Sequence, residues 1–394
     1  MSFMALTGAP LLVTAITLAI GLPIVTVLVW DRPRHKVLRR IAALFACELM
    51  VFAAAGLAVN RSQYFYASWG DLLGTSGVGR PVGGPAAAAH YGLTGQGARQ
   101  DRPTPSSLLA YPPAVKPGPG VPDITQSAIR AAYAKQGNRG SLVLYTSLFG
   151  PFTGYRLPAA VYLPAAYFRD HSKKFPVLEM LGGYPASPQS WMHVLKLRTF
   201  LDGAITRGTL PPAIAVVPTV DPSPPRDSEC VDAVGGDQAG TYLGVDVPAA
   251  VERDFRATEV RRGWSLTGYS TGGYCAVNLW LHYPAQFSAA VSLSGYFQPE
   301  LDRATGDPFA GNRQAGQSND PRWEVDHRAL LPGGLYLAAS GGDPASVAAI
   351  RDFAPRLPPE LHATEAWLPR GGHNGAVWRA FLPDALAWLG HRMR

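Results

Sequence analysis

The sequence predicts an α/β domain, with a mostly parallel central sheet flanked by helices, preceded by a two-helix transmembrane hairpin. Apolar runs of strand length alternate with helical stretches from residue 141 to the C-terminus, which indicates the α/β domain. Residues 1–30 carry no charged side chain, and a second apolar run follows at 41–59, which indicates the hairpin. Charged residues are only 16% of the 394-residue chain, a low share for a purely soluble protein.

A basic stretch, residues 31–40, separates the two apolar runs and holds five Lys and Arg side chains. Because basic loops stay in the cytoplasm, we predict membrane spans at about 4–30 and 41–59, with the N-terminus and everything after residue 60 outside. A cleaved signal peptide is the competing interpretation, although an uncharged start does not suit its n-region. Glu48 interrupts the second run, and it either functions inside the membrane or faces the other helix or a further subunit.

Residues 61–140 are predicted to form an extracytoplasmic connector. Pro, Gly and Ala dominate 77–89 and 111–122, a composition typical of extended, poorly packed chain. An aromatic stretch at 64–69 directly follows the second span, where an interfacial belt is expected. Basic residues concentrate beside the spans and form no cluster with interleaved aromatics in the exported part, so nucleic-acid binding is not expected.

The catalytic domain, residues 141–394, is organised around a Gly-x-Ser-x-Gly motif at 268–272. A predicted strand at 264–267 precedes the motif, and a predicted helix at 276–283 follows it. This context is that of the nucleophile elbow in the α/β-hydrolase fold. Glycines are needed there because the serine backbone is strained and larger neighbours would collide with adjacent elements. Ser270 is therefore the predicted nucleophile, and an ordinary turn serine is the alternative.

The rest of the domain alternates between strand-like and helix-like segments. Two long irregular stretches, 221–241 and 297–323, are predicted to form opposite rims of a substrate cleft. Strands are predicted at 141–148, 157–163, 175–181, 213–220, 287–293, 334–340 and 361–368, and helices at 194–207, 247–256 and 376–389.

A serine nucleophile needs a base and a carboxylate that holds the base in the right tautomer. His373 lies on a glycine-flanked loop after the last predicted strand, and Asp343 ends the strand before it. The resulting chain order of nucleophile, acid and histidine is the order this fold uses. Glu365 is the rival acid, but strand alternation directs its side chain away from the loop. We predict Asp343 as the acid and His373 as the base.

Two backbone N–H groups are assigned to the oxyanion hole. In this fold one comes from the residue after the nucleophile, here Thr271, and the other from the loop after an earlier strand. That loop is the Gly-Gly-Tyr-Pro turn after 175–181, which assigns the second N–H to Tyr184. The alternative for this turn is an ordinary β-to-α connection.

The cysteines leave two alternatives open. Cys47 lies in the second apolar run, so Cys230 and Cys275 are the two in the exported part. A disulfide between them would tether the 221–241 stretch to the elbow helix. Two buried free thiols are the other outcome, because sequence does not show whether the Cα atoms approach within about 7 Å.

A resemblance to a known family covers about 250 residues from Ser141 onward and is carried by six segments: 162–164, 181–184, 268–273, 282–287, 293–295 and 372–378. They resemble the putative esterase family, which includes esterase D and the mycolyltransferases of the actinobacterial cell envelope. The resemblance implies an α/β-hydrolase without metal or organic cofactor that acts on carboxylic esters through an acyl-serine. It also implies the same roles for Ser270, His373 and Asp343, and for the amides of Tyr184 and Thr271.

The chain departs from the family pattern in two ways. Gly182 and Gly183 stand where many members have His-Gly, and Asp343 stands where mycolyltransferases have a glutamate, which favours the esterase branch. We therefore predict a membrane-anchored, outward-facing serine esterase that acts on small-molecule, lipid or sugar esters. One alternative is an acyltransferase onto envelope sugars, with Trp191 and Trp378 either near the histidine or in the core. The other is a catalytically silent envelope-binding or scaffolding protein.

Overall fold

The computed structural model describes residues 5–30, 36–83, 122–185, 187–358 and 361–394. Most of the two tracts rich in Pro and Gly lies outside these described residues. The chain divides into two compact units that differ from the predicted domain boundaries. The first unit comprises Met1–Gly79, Ser340–Pro344 and Leu368–Val377, and the second comprises Arg80–Ala339, Ala345–Trp367 and Trp378–Arg394.

The first unit contains two long apolar helices, α1 (Ala9–Leu28) and α2 (Lys36–Gln63). Each is long and apolar enough to cross a membrane, a property that a signal sequence near an N-terminus shares. The helices run antiparallel, since Arg61 near the end of α2 donates a hydrogen bond of 3.1 Å to the carbonyl of Thr7, before α1. Glu48 is exposed on α2, so its side chain does not face α1.

The chain turns directly after α2. Tyr64 ends the helix in the left-handed region, at a φ of 53°. The side chain of Asn60 accepts a hydrogen bond from the N–H of Tyr66 (2.8 Å) and donates one to its carbonyl (3.0 Å). A short helix, α3 (Trp69–Leu72), then begins at the capping side chain of Ser68.

A mixed, mostly parallel sheet forms the centre of the second unit. In the part of the chain described here it has nine strands in the order β1-β9-β8-β7-β6-β4-β5-β3-β2. Strands β4 to β8 are buried along their whole length and pair in parallel, which fits their mostly apolar sequences. The strands are β1 (Val82–Gly83), β2 (Leu142–Phe149), β3 (Arg156–Leu163), β4 (Val177–Leu181), β5 (Ile214–Pro218), β6 (Trp264–Tyr269), β7 (Ala289–Leu293), β8 (Gly334–Ser340) and β9 (His362–Leu368).

Helices flank this sheet, and the predicted strands and helices are present. Four of these helices were not predicted. Helix α4 lies in the expected connector, α8 lies in the expected second rim, α9 begins at the end of that rim, and α10 directly follows Asp343. The helices are α4 (Gln126–Lys135), α5 (Leu197–Thr206), α6 (Val247–Asp254), α7 (Thr271–His282), α8 (Arg313–Ser318), α9 (Pro321–His327), α10 (Pro344–Phe353) and α11 (Gly375–Arg392).

Helix α7 is the most deeply buried of these helices and fixes the direction of the turn before it. Eleven of its 12 residues are buried, among them Trp280 and Tyr274. A helix that is apolar on all sides must lie within the core. The turn between β6 and α7 is therefore held between two buried elements.

Candidate active site

Ser270 occupies the tight turn between β6 and α7 that the sequence predicts. Its backbone has φ 55° and ψ −129°, a strained conformation for a residue with a side chain. A Cβ atom at Gly268 would overlap the carbonyl of Gly272, and one at Gly272 would overlap the carbonyl of Leu181. Both glycines are thus required by close backbone approach. The N–H of Ser270 donates a 3.0 Å hydrogen bond to the carbonyl of Leu293, which fixes the turn to β7.

The turn after β4 packs directly against the serine. A Cβ atom at Gly183 would lie 2.7 Å from the Cβ of Ser270 and 3.0 Å from the carbonyl of Tyr269. This contact explains why glycine is required immediately before Tyr184. Thr271 is the first residue of α7. The N–H groups of a helix's first turn have no partner within the helix, and the helix dipole favours negative charge at that end. Both predicted oxyanion donors therefore border the elbow, while their role stays a prediction.

Two tryptophans enclose the ring of Tyr269, the residue before the serine. Trp191 meets it edge-on at 5.2 Å between ring centroids, and Trp378 stacks on it at 4.3 Å. Trp191 is fully buried, so it belongs to the core, one of the two roles considered for it. These ring contacts restrict the end of β6, directly before the Ser270 turn.

His373 and Asp343 form a hydrogen-bonded pair in the first unit. The Nδ1 atom of the histidine lies 2.7 Å from Oδ2 of the aspartate, whose side chain is only 2% exposed. With Nδ1 facing the carboxylate, Nε2 is the ring nitrogen that can accept a proton. The rival acid, Glu365, is half-buried inside β9, where burial raises the pKa of its carboxyl. The structure thus pairs the histidine with the acid that was predicted.

Ser270 belongs to the second unit, whereas His373 and Asp343 belong to the first. Each part of the site is described within its own unit, and the joint action of Ser270 with His373 and Asp343 is proposed below. Within the described ranges, no group of three or more His, Cys, Asp or Glu side chains is arranged to hold a metal ion.

A buried carboxyl group near the elbow was not found by sequence reasoning. Glu229, 1% exposed, accepts a 2.7 Å hydrogen bond from the hydroxyl of Tyr296. Burial, and then the charge of Asp227, raises the pKa of Glu229 to about 9. Burial likewise raises the pKa of Asp227 to about 7. No pattern distinguishes these acids from solvent-facing residues of an irregular stretch.

A disulfide joins Cys230 to Cys275, with Cα atoms 5.5 Å apart. It links the irregular stretch 221–241 to α7, which resolves the alternative that the sequence left open. Cys47 on α2 remains a free thiol. A covalent bond therefore holds α7 five residues after Ser270.

Comparison with known proteins agrees with this architecture. Residues 151–336 match the family model named Putative esterase. The chain is also 27% identical, over 247 residues, to an uncharacterized protein of Corynebacterium glutamicum. That match covers 59% of this chain and 57% of the relative, so the chain spans little more than half of the relative's length.

Solved structures with the same fold include three esterases or serine hydrolases. An S-formylglutathione hydrolase from Agrobacterium tumefaciens has a TM-score of 0.56 at 18% identity, covering 65% of this chain and 96% of its own. A ferulic acid esterase has a TM-score of 0.54 at 17% identity, covering 65% and 99%. A fluorophosphonate-binding serine hydrolase of Staphylococcus aureus has a TM-score of 0.53 at 19% identity, covering 64% and 99%.

These likenesses confirm the predicted α/β-hydrolase fold. The family match over residues 151–336 supports the predicted esterase activity. The family predicted from the sequence motifs is the one found.

Proposed function

We propose that this chain is a membrane-anchored, extracytoplasmic serine esterase that cleaves carboxylic esters through an acyl-Ser270 intermediate. The observation that carries the proposal is the strained Ser270 turn within a domain of an esterase family. A strained serine between a buried strand and a buried helix is costly, and such strain concentrates at active sites.

In this mechanism Oγ of Ser270 attacks the ester carbonyl while Nε2 of His373 takes its proton. The amides of Thr271 and Tyr184 donate to the oxyanion that develops. His373 then gives this proton to the departing alcohol. A water molecule next attacks the acyl-serine in the same way, which releases the carboxylic acid and regenerates Ser270. Asp343 holds the ring in the tautomer that leaves Nε2 able to accept a proton.

The order of the strands supports this grouping of residues. Strands β6, β7 and β8 pair in parallel, and the carboxyl ends of parallel strands share one edge of a sheet. Ser270 directly follows β6, and Asp343 follows β8 by three residues. The acid and the nucleophile therefore come from strand ends at which ligands bind in open α/β sheets.

Three features support an extracytoplasmic location. The helices α1 and α2 are apolar enough to span a membrane, and the basic stretch 31–40 lies between them. Such a stretch favours the cytoplasmic side, which would leave the catalytic domain outside. The Cys230–Cys275 disulfide fits the same assignment, because disulfides persist mainly in oxidising compartments.

The proposal is tested with the full-length protein in detergent. Ser270→Ala is expected to abolish hydrolysis of a short p-nitrophenyl ester and labelling by a fluorophosphonate probe. Ser294→Ala is the matched control, since Ser294 also directly follows a parallel strand and has a positive φ, of 50°. It should keep the label. Unchanged turnover in Ser270→Ala would exclude the mechanism, and a wild-type chain that never labels would favour the silent scaffold.

A further inference from the structure

The segment directly after α2, residues 64–71, contacts the loop that carries the histidine. The N–H of His373 donates a 2.8 Å hydrogen bond to the carbonyl of Tyr64. The N–H of Gly372 donates a 2.8 Å hydrogen bond to Oδ2 of Asp71. Two successive backbone groups of the loop are thus held by a segment about 300 positions earlier in the sequence.

Asn374 extends this contact to a third successive residue. Its Nδ2 donates to the carbonyl of Phe65 at 2.7 Å and approaches Oδ1 of Asp71 at 3.3 Å. Its Oδ1 accepts a 2.9 Å hydrogen bond from the N–H of Ala376 in the first turn of α11. One side chain therefore joins the segment, the loop and the start of the C-terminal helix.

The fit is close enough to require glycines on both catalytic loops. A Cβ atom at Gly372 would overlap the carbonyl oxygens of Tyr64 and Phe65. A Cβ atom at Gly342, the residue before the acid, would lie 2.6 Å from the Cβ of Ala67. The segment thus packs against the backbone beside the acid as well as beside the base.

Asp71 lies at the centre of these contacts. Its Oδ2 accepts hydrogen bonds from the N–H groups of both Ala67 and Gly372, at 2.9 Å and 2.8 Å. Hydrogen bonds to a carboxylate are about twice as strong as those between neutral groups. A single side chain therefore shapes the segment and fastens the histidine loop to it.

We propose that Asp71 is a positioning residue, which holds the 372–374 loop so that His373 keeps its bond to Asp343. This inference rests on the proposed function of the pair. It makes the segment after the second apolar helix a part of the catalytic structure as well as a link to the anchor. Loss of Asp71 would let the base move without removing any group that touches substrate.

The test measures kcat and KM of the full-length protein in detergent. Misplacing a catalytic group by about 1 Å can cost about 100-fold, so Asp71→Ala is expected to lower kcat about 10- to 100-fold. KM should change less than about twofold, because no substrate contact is lost. Asp71→Asn keeps one acceptor oxygen, so its kcat should lie between that of the wild type and that of Asp71→Ala. Asp170→Ala is the matched control, since Asp170 also accepts a backbone N–H, from Ser172 at 3.0 Å, but on an exposed turn.

A second pair of variants guards against loss of folding in Asp71→Ala. Asn374→Asp keeps the oxygen that caps α11 but replaces the donor to Phe65, so kcat should again fall with KM unchanged. Gly372→Ala should lower kcat because its Cβ meets two carbonyl oxygens. Gly77→Ala, where an added Cβ meets nothing within 4 Å, should leave kcat unchanged.

The outcomes separate this inference from the proposed function. Activity that survives Ser270→Ala removes the proposed mechanism, and with it this inference. Activity that is lost in Ser270→Ala but keeps its kcat, per probe-labelled enzyme, in Asp71→Ala and Asn374→Asp overturns the positioning role alone. A lower melting temperature with unchanged kcat has the same meaning, because it indicates a structural role only.

Discussion

His373 Nδ1 lies 2.7 Å from Asp343 Oδ2, and that carboxylate is almost completely buried. Loss of the charge should leave the ring in the wrong tautomer, so Asp343→Asn is expected to lower kcat about 10⁴-fold, the size of loss known for the buried aspartate of a Ser-His-Asp triad. Glu365→Gln should change kcat by less than about twofold, because Asp343 is the carboxylate that bonds to the ring. Steady-state kinetics on a p-nitrophenyl ester compare the two. The reverse ranking would transfer the acid role to Glu365.

The disulfide should contribute to stability by closing the stretch between residues 230 and 275, a separation of 45 residues. Replacing both cysteines with serine is expected to lower the free energy of unfolding by about 3–4 kcal/mol. Urea unfolding with and without reductant measures the loss. The Cys47→Ser variant is the control and should keep its full response to reductant, because Cys47 is unpaired. Non-reduced peptides that show two free thiols in the wild type would contradict the bridge.

Glu229 should make stability depend on pH. Its pKa rises from 4.5 to about 9 on folding, so the folded state keeps a proton that the unfolded chain releases above pH 4.5. The contribution is complete below about pH 4.5 and is lost as the pH rises toward about 9. Glu229→Gln should therefore flatten the decline of the melting temperature between about pH 5 and 9.

Glu259→Gln is the control for that series, because Glu259 is 63% exposed and should not alter the slope. Thermal melts at several pH values supply the comparison. An identical slope in wild type and Glu229→Gln would mean that Glu229 is ionised in the folded protein.

The proposed topology predicts which engineered protease sites are cut in intact cells. A site inserted between residues 84 and 121 should be cleaved from outside, and one inserted at 31–35 should be protected. The two fragments should stay together until denaturant is added, because β1 pairs with β9 and Tyr64 accepts a hydrogen bond from His373. Cleavage at 31–35 with protection of 84–121 would reverse the orientation.

The acceptor of the acyl group distinguishes hydrolysis from transfer. Both reactions pass through the same acyl-serine and differ in whether water or a bound hydroxyl attacks it. We expect free acid as the main product when full-length protein is given an acyl donor with glucose or trehalose. Acyl-sugar in excess over acid, against water at about 55 M, would require a site that binds and orients the alcohol. That result would favour the acyltransferase alternative.

Much of the fold followed from local sequence patterns. Strands β4 to β8 are mostly apolar, and mostly apolar segments of strand length are typical of parallel strands that are covered on both faces. The elbow at Ser270 was recognisable because the Gly-x-Ser-x-Gly motif occupies five consecutive residues between a predicted strand and a predicted helix. The choice of Asp343 over Glu365 followed from strand alternation, which is also local.

The sequence by itself thus determined the α/β-hydrolase sheet, the two apolar helices and the residues of the elbow. Only the tertiary structure decided that Cys230 meets Cys275, that Glu229 is buried, and that the segment after α2 fastens the histidine loop. The physical reason is the same in each case. Local elements follow from neighbouring residues, but these contacts join distant parts of the chain. The bond from His373 to Tyr64 runs between backbone atoms, which no side-chain pattern encodes.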